Sequence, residues 1–81
     1  MNYIIIFFSQ SGALKFNRNM EKKGIECILA PTPRMLSSSC GTCAKIFYDK
    51  NILDLVDEEI ESIYSVKGLK DYSLIYDSHD I

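Results

Sequence analysis

The stretch that decides the fold is Tyr3-Ile4-Ile5-Ile6-Phe7-Phe8, an unbroken run of β-branched and aromatic residues near the start of the chain. Such a run is typical of a strand that is buried on both faces, because a strand with one wet face alternates apolar and polar residues. We therefore predict a central strand at residues 3–8, with the remaining elements packed around it.

The residues that follow this strand carry the signals of a helix. Ser9 or Ser11 can cap its N-terminus, and Gly24 is placed to end it. The residues at helical spacing between these signals are Ala13, Phe16, Asn17 and Met20. This pattern predicts a first helix of about 11 residues.

A second strand is predicted at residues 25–30, where Pro31-Thr32-Pro33 stops it. Cys27 shares one face of this strand with Ile25 and Leu29, because alternate residues of a strand point the same way. We therefore interpret Cys27 as a packing residue.

Residues 44–48 and 72–76 predict two more strands, and a second helix is predicted between them, from Asp49 as its cap to Gly68. The apolar stripe of this helix consists of Ile52, Leu53, Val56, Ile60 and Ile63, and its solvated face carries Asp57, Glu58, Glu59 and Glu61. Residues 77–81 form a short polar tail.

The predicted order βαββαβ indicates an α+β, ferredoxin-like sandwich in one domain that spans residues 1–81. Its antiparallel four-stranded sheet has the spatial order 4-1-3-2, and both helices lie on one face. An open α/β or thioredoxin-like arrangement is the alternative. In the sandwich, the loop after the second strand, the Ser9–Gly12 turn and the Lys67-Gly68 pair lie at one end, with the N-terminus of the first helix toward the cysteines. His79 lies at the opposite end.

Composition and charge exclude several classes of protein. The chain has 9 Lys and Arg against 11 Asp and Glu, so it lacks the basic field that attracts a nucleic-acid backbone. The apolar start has neither the basic flank of a signal peptide nor the length of a membrane span, so we expect a cytoplasmic protein. Three cysteines do not make a closed disulfide framework, so the thiols need another explanation.

The reactive chemistry is concentrated at residues 33–43, where three serines precede Cys40-Gly41-Thr42-Cys43. Such a hydroxyl-rich loop is poorly suited to a core, so we interpret Cys40 as a reactive thiol. Candidate groups that stabilise its thiolate are Ser38, Ser39 and the Gly41 amide as hydrogen-bond donors, together with Arg34, Lys67 and the N-terminus of the first helix.

The spacing of Cys40 and Cys43 leaves other chemistry open. The two thiols could cycle with a disulfide, Cys40 attacking and Cys43 resolving. A zinc site is weaker, because one CxxC pair supplies only two of four ligands and neither Cys27 nor His79 is well placed to add to it. Only a symmetric dimer that pools two such pairs would complete the set. We therefore expect no metal and no cofactor. A third possibility is a non-catalytic interaction module.

The loop also resembles a known family. Residues Pro31-Thr32-Pro33-Arg34 leading into Ser37-Ser38-Ser39-Cys40-Gly41, after a strand-helix-strand opening, are similar to small bacterial domains described as "Putative Se/S carrier protein-like", a domain of unknown function. The likeness covers nearly the whole chain. It implies a role in selenium or sulfur metabolism, with Cys40 as the carrying residue.

Our hypothesis is a sulfur or selenium carrier rather than a stand-alone enzyme. Cys40 would take its cargo from a donor such as a cysteine or selenocysteine desulfurase and present it to an acceptor enzyme. The predicted sandwich also leaves one face of the sheet without helices, although residues 3–8 are apolar on both sides. We therefore expect a homodimer through the helix-free face, unless a loop or the tail covers it.

Overall fold

The computed structural model describes residues 1–36, 40–68 and 71–78. Its elements in chain order are β1 (Asn2–Phe7), α1 (Gln10–Lys22), β2 (Cys27–Pro31), β3 (Thr42–Phe47), a short 3-10 helix (Ile52–Leu55), β4 (Ile60–Lys67) and β5 (Asp71–Asp77). The strands form one antiparallel five-stranded sheet with the order β2-β3-β1-β4-β5. The predicted central strand is thus confirmed, with β1 in the middle of the sheet.

The predicted ferredoxin-like sandwich is wrong, and so is the thioredoxin-like alternative. Within the described residues there is one α-helix, and five antiparallel strands replace the expected four. The neighbours β2, β3 and β1 are those of the predicted order 4-1-3-2. The difference therefore arises entirely after β3.

The predicted second helix between Asp49 and Gly68 does not form, because the chain stops being helical near the middle of this segment. Asn51 caps a single turn by accepting a hydrogen bond from the Leu53 amide at 3.2 Å, and the chain is already extended at Val56. The Asp57 side chain then accepts from the Glu59 amide at 2.8 Å, which closes a tight turn. Residues 60–67 continue as a strand, and their β-branched and aromatic side chains suit the pleated surface of a sheet.

The main core lies between α1 and one face of the sheet. It contains Tyr3, Ile5, Phe7, Ala13, Phe16, Met20, Ala44, Ile46, Ile52, Leu55, Ile60 and Ile63. The Phe7 and Phe16 rings are 5.3 Å apart at an interplanar angle of 56°, a favourable tilted contact. Ile60 and Ile63, which we had placed on a helix, fill this core from β4 instead.

On the opposite, helix-free face of the sheet, the β1 side chains are buried as well. Ile4, Ile6 and Cys43 are all buried there, and the partly buried side chains that cover them are Leu36, Tyr64, Val66 and Tyr72. Leu36 comes from the loop after β2, and the three others come from β4 and β5. The expectation that one apolar set of β1 stays exposed is therefore wrong, because the extra strand and the loop widen and cover this face.

The start of α1 is fixed by side chains from two parts of the chain. Ser9 is the N-cap, and its Oγ accepts a hydrogen bond from the Gly12 amide at 3.1 Å. The Ser9 hydroxyl in turn lies 3.4 Å from Oε2 of Glu59, to which it donates. A Cβ atom at position 12 would lie 2.6 Å from the same oxygen and 2.9 Å from Glu59 Cβ. Gly12 therefore makes room for a carboxylate at the positive end of the helix.

We predict that Gly12→Ala destabilises the protein by about 1–3 kcal/mol, because the added methyl group overlaps Glu59. In a Glu59→Gly background, which removes all the contacting side-chain atoms, the same substitution should cost nothing or stabilise, since Ala favours a helix over Gly by about 1 kcal/mol. Urea unfolding followed by circular dichroism measures both effects. Equal destabilisation in the two backgrounds would contradict the steric explanation.

Candidate functional site

Cys40 lies at the end of the sheet where β1 ends and α1 begins. Its Sγ atom donates a hydrogen bond to the Phe7 carbonyl oxygen at 3.3 Å and is 3.4 Å from the carbonyl oxygen of Thr42. The side chain is half-buried and packs against the helix-side core. Cys40 and the Ser9–Gly12 turn thus lie at one end of the molecule, as expected, since Ser9 follows β1 by two residues.

The Phe7 carbonyl is available to Cys40 because of the strand register. The pairing of β1 with β3 ends at Ile6 and Cys43, and a register shift between Ile6 and Phe7 displaces the next residue in the pairing with β4. Phe7 therefore has no partner residue on β3. Because the Phe7 carbonyl is not paired with β3, the Cys40 thiol can donate a hydrogen bond to it.

Both of these contacts of the Cys40 sulfur are with backbone carbonyl oxygens. A carbonyl oxygen can only accept a hydrogen bond, so the sulfur must keep its proton to donate one. Loss of that proton would remove the hydrogen bond to Phe7 and the contact with Thr42 as a donor.

Gly41 connects this thiol to β3 in a conformation that favours glycine. Its φ is +74°, in the left-handed region where a side chain is strained. The Gly41 carbonyl accepts from the Thr32 amide at 3.0 Å, which ties the two ends of the loop together. The loop thus leaves and re-enters the sheet at one place, with Cys40 beside its closing hydrogen bond.

Cys43 is in a different environment, although it is only three residues away. It lies within β3, is fully buried on the helix-free face and donates to the Pro31 carbonyl at 3.7 Å. Burial raises the pKa of the Cys43 thiol, and the nearby Cys40 also raises this pKa, while Lys45 and Thr32 act in the opposite direction. Cys43 is therefore a poor nucleophile where it stands.

The placement of the two thiols weighs against a ready dithiol pair. Cys40 packs against the helix-side core, whereas Cys43 is buried in the cluster on the opposite face. A disulfide needs the two Cβ atoms about 3.5–4.5 Å apart with the sulfurs turned toward each other. Because the two side chains pack on opposite faces of the sheet, they are not arranged as such a pair in this structure.

Cys27 packs as the sequence predicts. It is half-buried in β2 and contacts the helix-side core. Burial raises the pKa of its thiol from the usual 9.0 to about 11. Cys27 therefore remains protonated at neutral pH.

The other predicted supporting residues have separate outcomes. Arg34 is exposed in the turn after Pro33. Lys67 pairs with Asp71 in the β4–β5 hairpin, at the end of the sheet next to Asn2. Its predicted place near the thiols is wrong, because β4 runs antiparallel to β1 where we expected a helix. The predicted residues Ser38, Ser39 and His79 lie outside the described residues.

Sequence reasoning missed Glu59 as a residue of this end of the molecule. We had placed it on a solvated helix face, but its carboxylate lies against the N-terminus of α1. The Phe8 amide also donates to the Glu59 backbone carbonyl at 3.1 Å. The positive end of α1 is therefore occupied by an internal carboxylate. The sequence signal for a side chain packed against this end of the helix was Gly12, a small residue in the first turn of α1.

Within the described parts of the chain, no three His, Cys, Asp or Glu side chains are grouped closely enough to hold a metal ion. In the same residues, α1 is too short and too polar to cross a membrane.

We predict the order in which the thiols are alkylated in the native protein at pH 8. Cys40 should react first, because its position outside the strands lets it turn into solvent. Cys27 should react about a hundredfold more slowly than an ordinary thiol, since a pKa raised to about 11 leaves little thiolate. Cys43 should react only on unfolding. Peptide mapping after timed labelling measures all three.

A control in urea should label the three thiols at similar rates. The Cys27 rate should rise with pH up to about 11, since the thiolate fraction increases until pH passes the pKa. Preferential labelling of Cys27 in the folded protein would contradict the assignment of the site.

A family model described as "Putative Se/S carrier protein-like" matches residues 2–69 of the chain. The match includes β1 to β4 and the whole thiol loop, and it ends before β5. Comparisons with curated proteins and with solved structures give no significant match.

Proposed function

We propose that this chain, which belongs to the family described as "Putative Se/S carrier protein-like", carries sulfur or selenium on the Sγ atom of Cys40. The observation that carries this proposal is the contrast between the three thiols. Cys40 lies in a loop at an end of the sheet, whereas Cys27 and Cys43 lie within strands and have raised pKa values. The thiol that can turn outward is the one in the family's loop.

Loading would be a thiol exchange without net oxidation. The Cys40 thiol loses its proton to solvent, and the thiolate attacks the terminal sulfur of a persulfide on the donor protein. A new sulfur–sulfur bond forms on Cys40, the bond in the donor persulfide breaks, and the donor cysteine leaves as a thiolate. Delivery repeats the exchange, with a thiolate of the acceptor attacking the outer sulfur. A selenium atom in the outer position would follow the same steps.

The loop geometry supports such a cycle. At rest, the Cys40 thiol donates to the Phe7 carbonyl oxygen and lies beside the Thr42 carbonyl oxygen. In the loaded side chain, the inner Cys40 sulfur carries a sulfur atom in place of its proton and can no longer donate to these carbonyls, so we expect the loaded side chain to point outward. Gly41, already at positive φ, is the natural pivot for this change.

The partners would be proteins: a donor of the cysteine or selenocysteine desulfurase type and an acceptor enzyme. We place this exchange in the cytoplasm, where thiols are kept reduced. With a net charge of −2, the chain has little attraction for nucleic acid. We also propose that the protein is a homodimer through the helix-free face of its sheet.

The second candidate is a thiol oxidoreductase that uses Cys40 and Cys43. It is favoured by their spacing and opposed by the burial of Cys43 and by its place on the other face of the sheet. A non-catalytic interaction module remains the third candidate, and it predicts no sulfur transfer at all.

The loading experiment separates these candidates. After incubation with a small-molecule persulfide donor, the intact mass should increase by one sulfur atom, and peptide mapping should place it on Cys40. Cys40→Ser should abolish this gain. Cys27→Ala and Cys43→Ala should retain it, because neither of these strand thiols takes part.

Two results would contradict the proposal. Loading of Cys40→Ser but not of Cys43→Ala would move the site to Cys43. Conversion of the loaded protein to a Cys40–Cys43 disulfide faster than it passes sulfur to an added thiol would favour the oxidoreductase.

A further inference from the structure

The helix-free face has an open groove at the end away from Cys40. A cavity of about 350 Å³ lies over the starts of β1 and β2 and the ends of β3 and β4. Its lining includes Glu26, Ile28, Lys45, Phe47, Val66 and Tyr72. Ile28 and Phe47 are 56% and 59% exposed, although both are large apolar side chains. Leu36 contacts the cluster around Ile4, Ile6 and Cys43 on the same face, but the groove is left open.

Two opposite charges lie within this apolar patch. Ile28 pairs with Lys45 and Cys27 pairs with Ile46, so Glu26 and Phe47 form the next neighbours along β2 and β3. Glu26, Ile28, Lys45 and Phe47 thus occupy the four corners of one patch, with the charges on one diagonal and the apolar side chains on the other. Both charged side chains are exposed, and within residues 1–36, 40–68 and 71–78 neither makes an ion pair.

We propose that the occupant of this groove is a second copy of the chain, placed so that Lys45 of each copy pairs with Glu26 of the other. The proposal rests on the homodimer named above and is independent of the chemistry at Cys40. Two sheets that meet face to face are related by a two-fold axis in the plane of the interface. Placing that axis along the Ile28–Phe47 diagonal brings the two charge pairs together.

The arrangement follows from strand geometry. Neighbouring strands are about 4.8 Å apart, and alternate residues are about 6.6 Å apart along a strand, so the four corners are close to a square. Ile28 and Phe47 then lie near the axis, and each packs against the same residue of the other copy. The strands of the two sheets cross steeply, as in orthogonal sheet packing.

Self-complementarity is the reason to prefer a second copy over another protein. An apolar patch with one cation and one anion on its diagonal leaves no charge unpaired when it meets itself, and an unpaired buried charge would be costly. The neighbouring Tyr72 and the 52% exposed Leu74 on β5 extend the apolar area toward the size of an ordinary interface. Thr42 is about 16 Å along β3 from Phe47, so the dimer leaves the Cys40 loop accessible.

Charge reversal tests the pairing. Wild-type protein should be a dimer at micromolar concentration by light scattering. Lys45→Glu and Glu26→Lys should each weaken self-association roughly tenfold or more, because like charges then face each other. Mixing the two single variants should restore a dimer, since each interface again joins Glu to Lys. Lys15→Glu and Glu21→Lys, the same charge changes on exposed positions of α1, should leave the dimer intact.

Phe47→Ala supplies a variant without a charge change. It should also weaken the dimer while leaving the fold of each copy intact, as Phe47 is mostly exposed in the single chain. A monomeric wild type, reversals that leave self-association unchanged, or a mixture that stays monomeric would each overturn the proposal. Loading Cys40 in the monomeric variants separates the two proposals, because it should proceed as in wild type whether or not the dimer exists.

Discussion

The burial of β1 on both faces is the constraint from which the rest of the structure follows. Ile4, Ile5, Ile6 and Phe7 are each at most 4% exposed. A strand of this kind needs a layer above and a layer below, and a chain of 81 residues has little material for both. The protein meets this need with α1 on one face and with a widened sheet and a loop side chain, Leu36, on the other.

The same arrangement positions the thiol. Because β2 and β1 run in the same direction on either side of β3, the loop that joins β2 to β3 returns to the end of β1. There the register leaves Phe7 without a partner on β3, and its carbonyl accepts from Cys40 instead. The position of Cys40 therefore depends on the pairing of the central strands, and a change in that pairing would move the reactive sulfur.

The first half of the fold could be predicted from sequence, because its signals are local. The apolar run of β1, the Ser9 cap, the proline stop after β2 and the packing of Cys27 each depend on a few neighbouring residues. The second half could not, because Ile60 and Ile63 fit either a helical stripe or one face of a bulged strand. The turn that decides between them is made by the Asp57 side chain and the Glu59 amide, a contact that spacing does not predict. Because of this error, the prediction placed Lys67 at the wrong end of the sheet and Glu59 on a solvated helix face.

That error also bears on how Cys40 could be activated. A thiolate is usually stabilised by a nearby cation or by the positive end of a helix. Here the N-terminus of α1 faces the Glu59 carboxylate, and Lys67 lies at the far end of the sheet. The Cys40 thiol instead donates to the Phe7 carbonyl oxygen and lies beside the Thr42 carbonyl oxygen. The groups that favour the thiolate would then come from the donor protein or from the loop once the sulfur has turned outward.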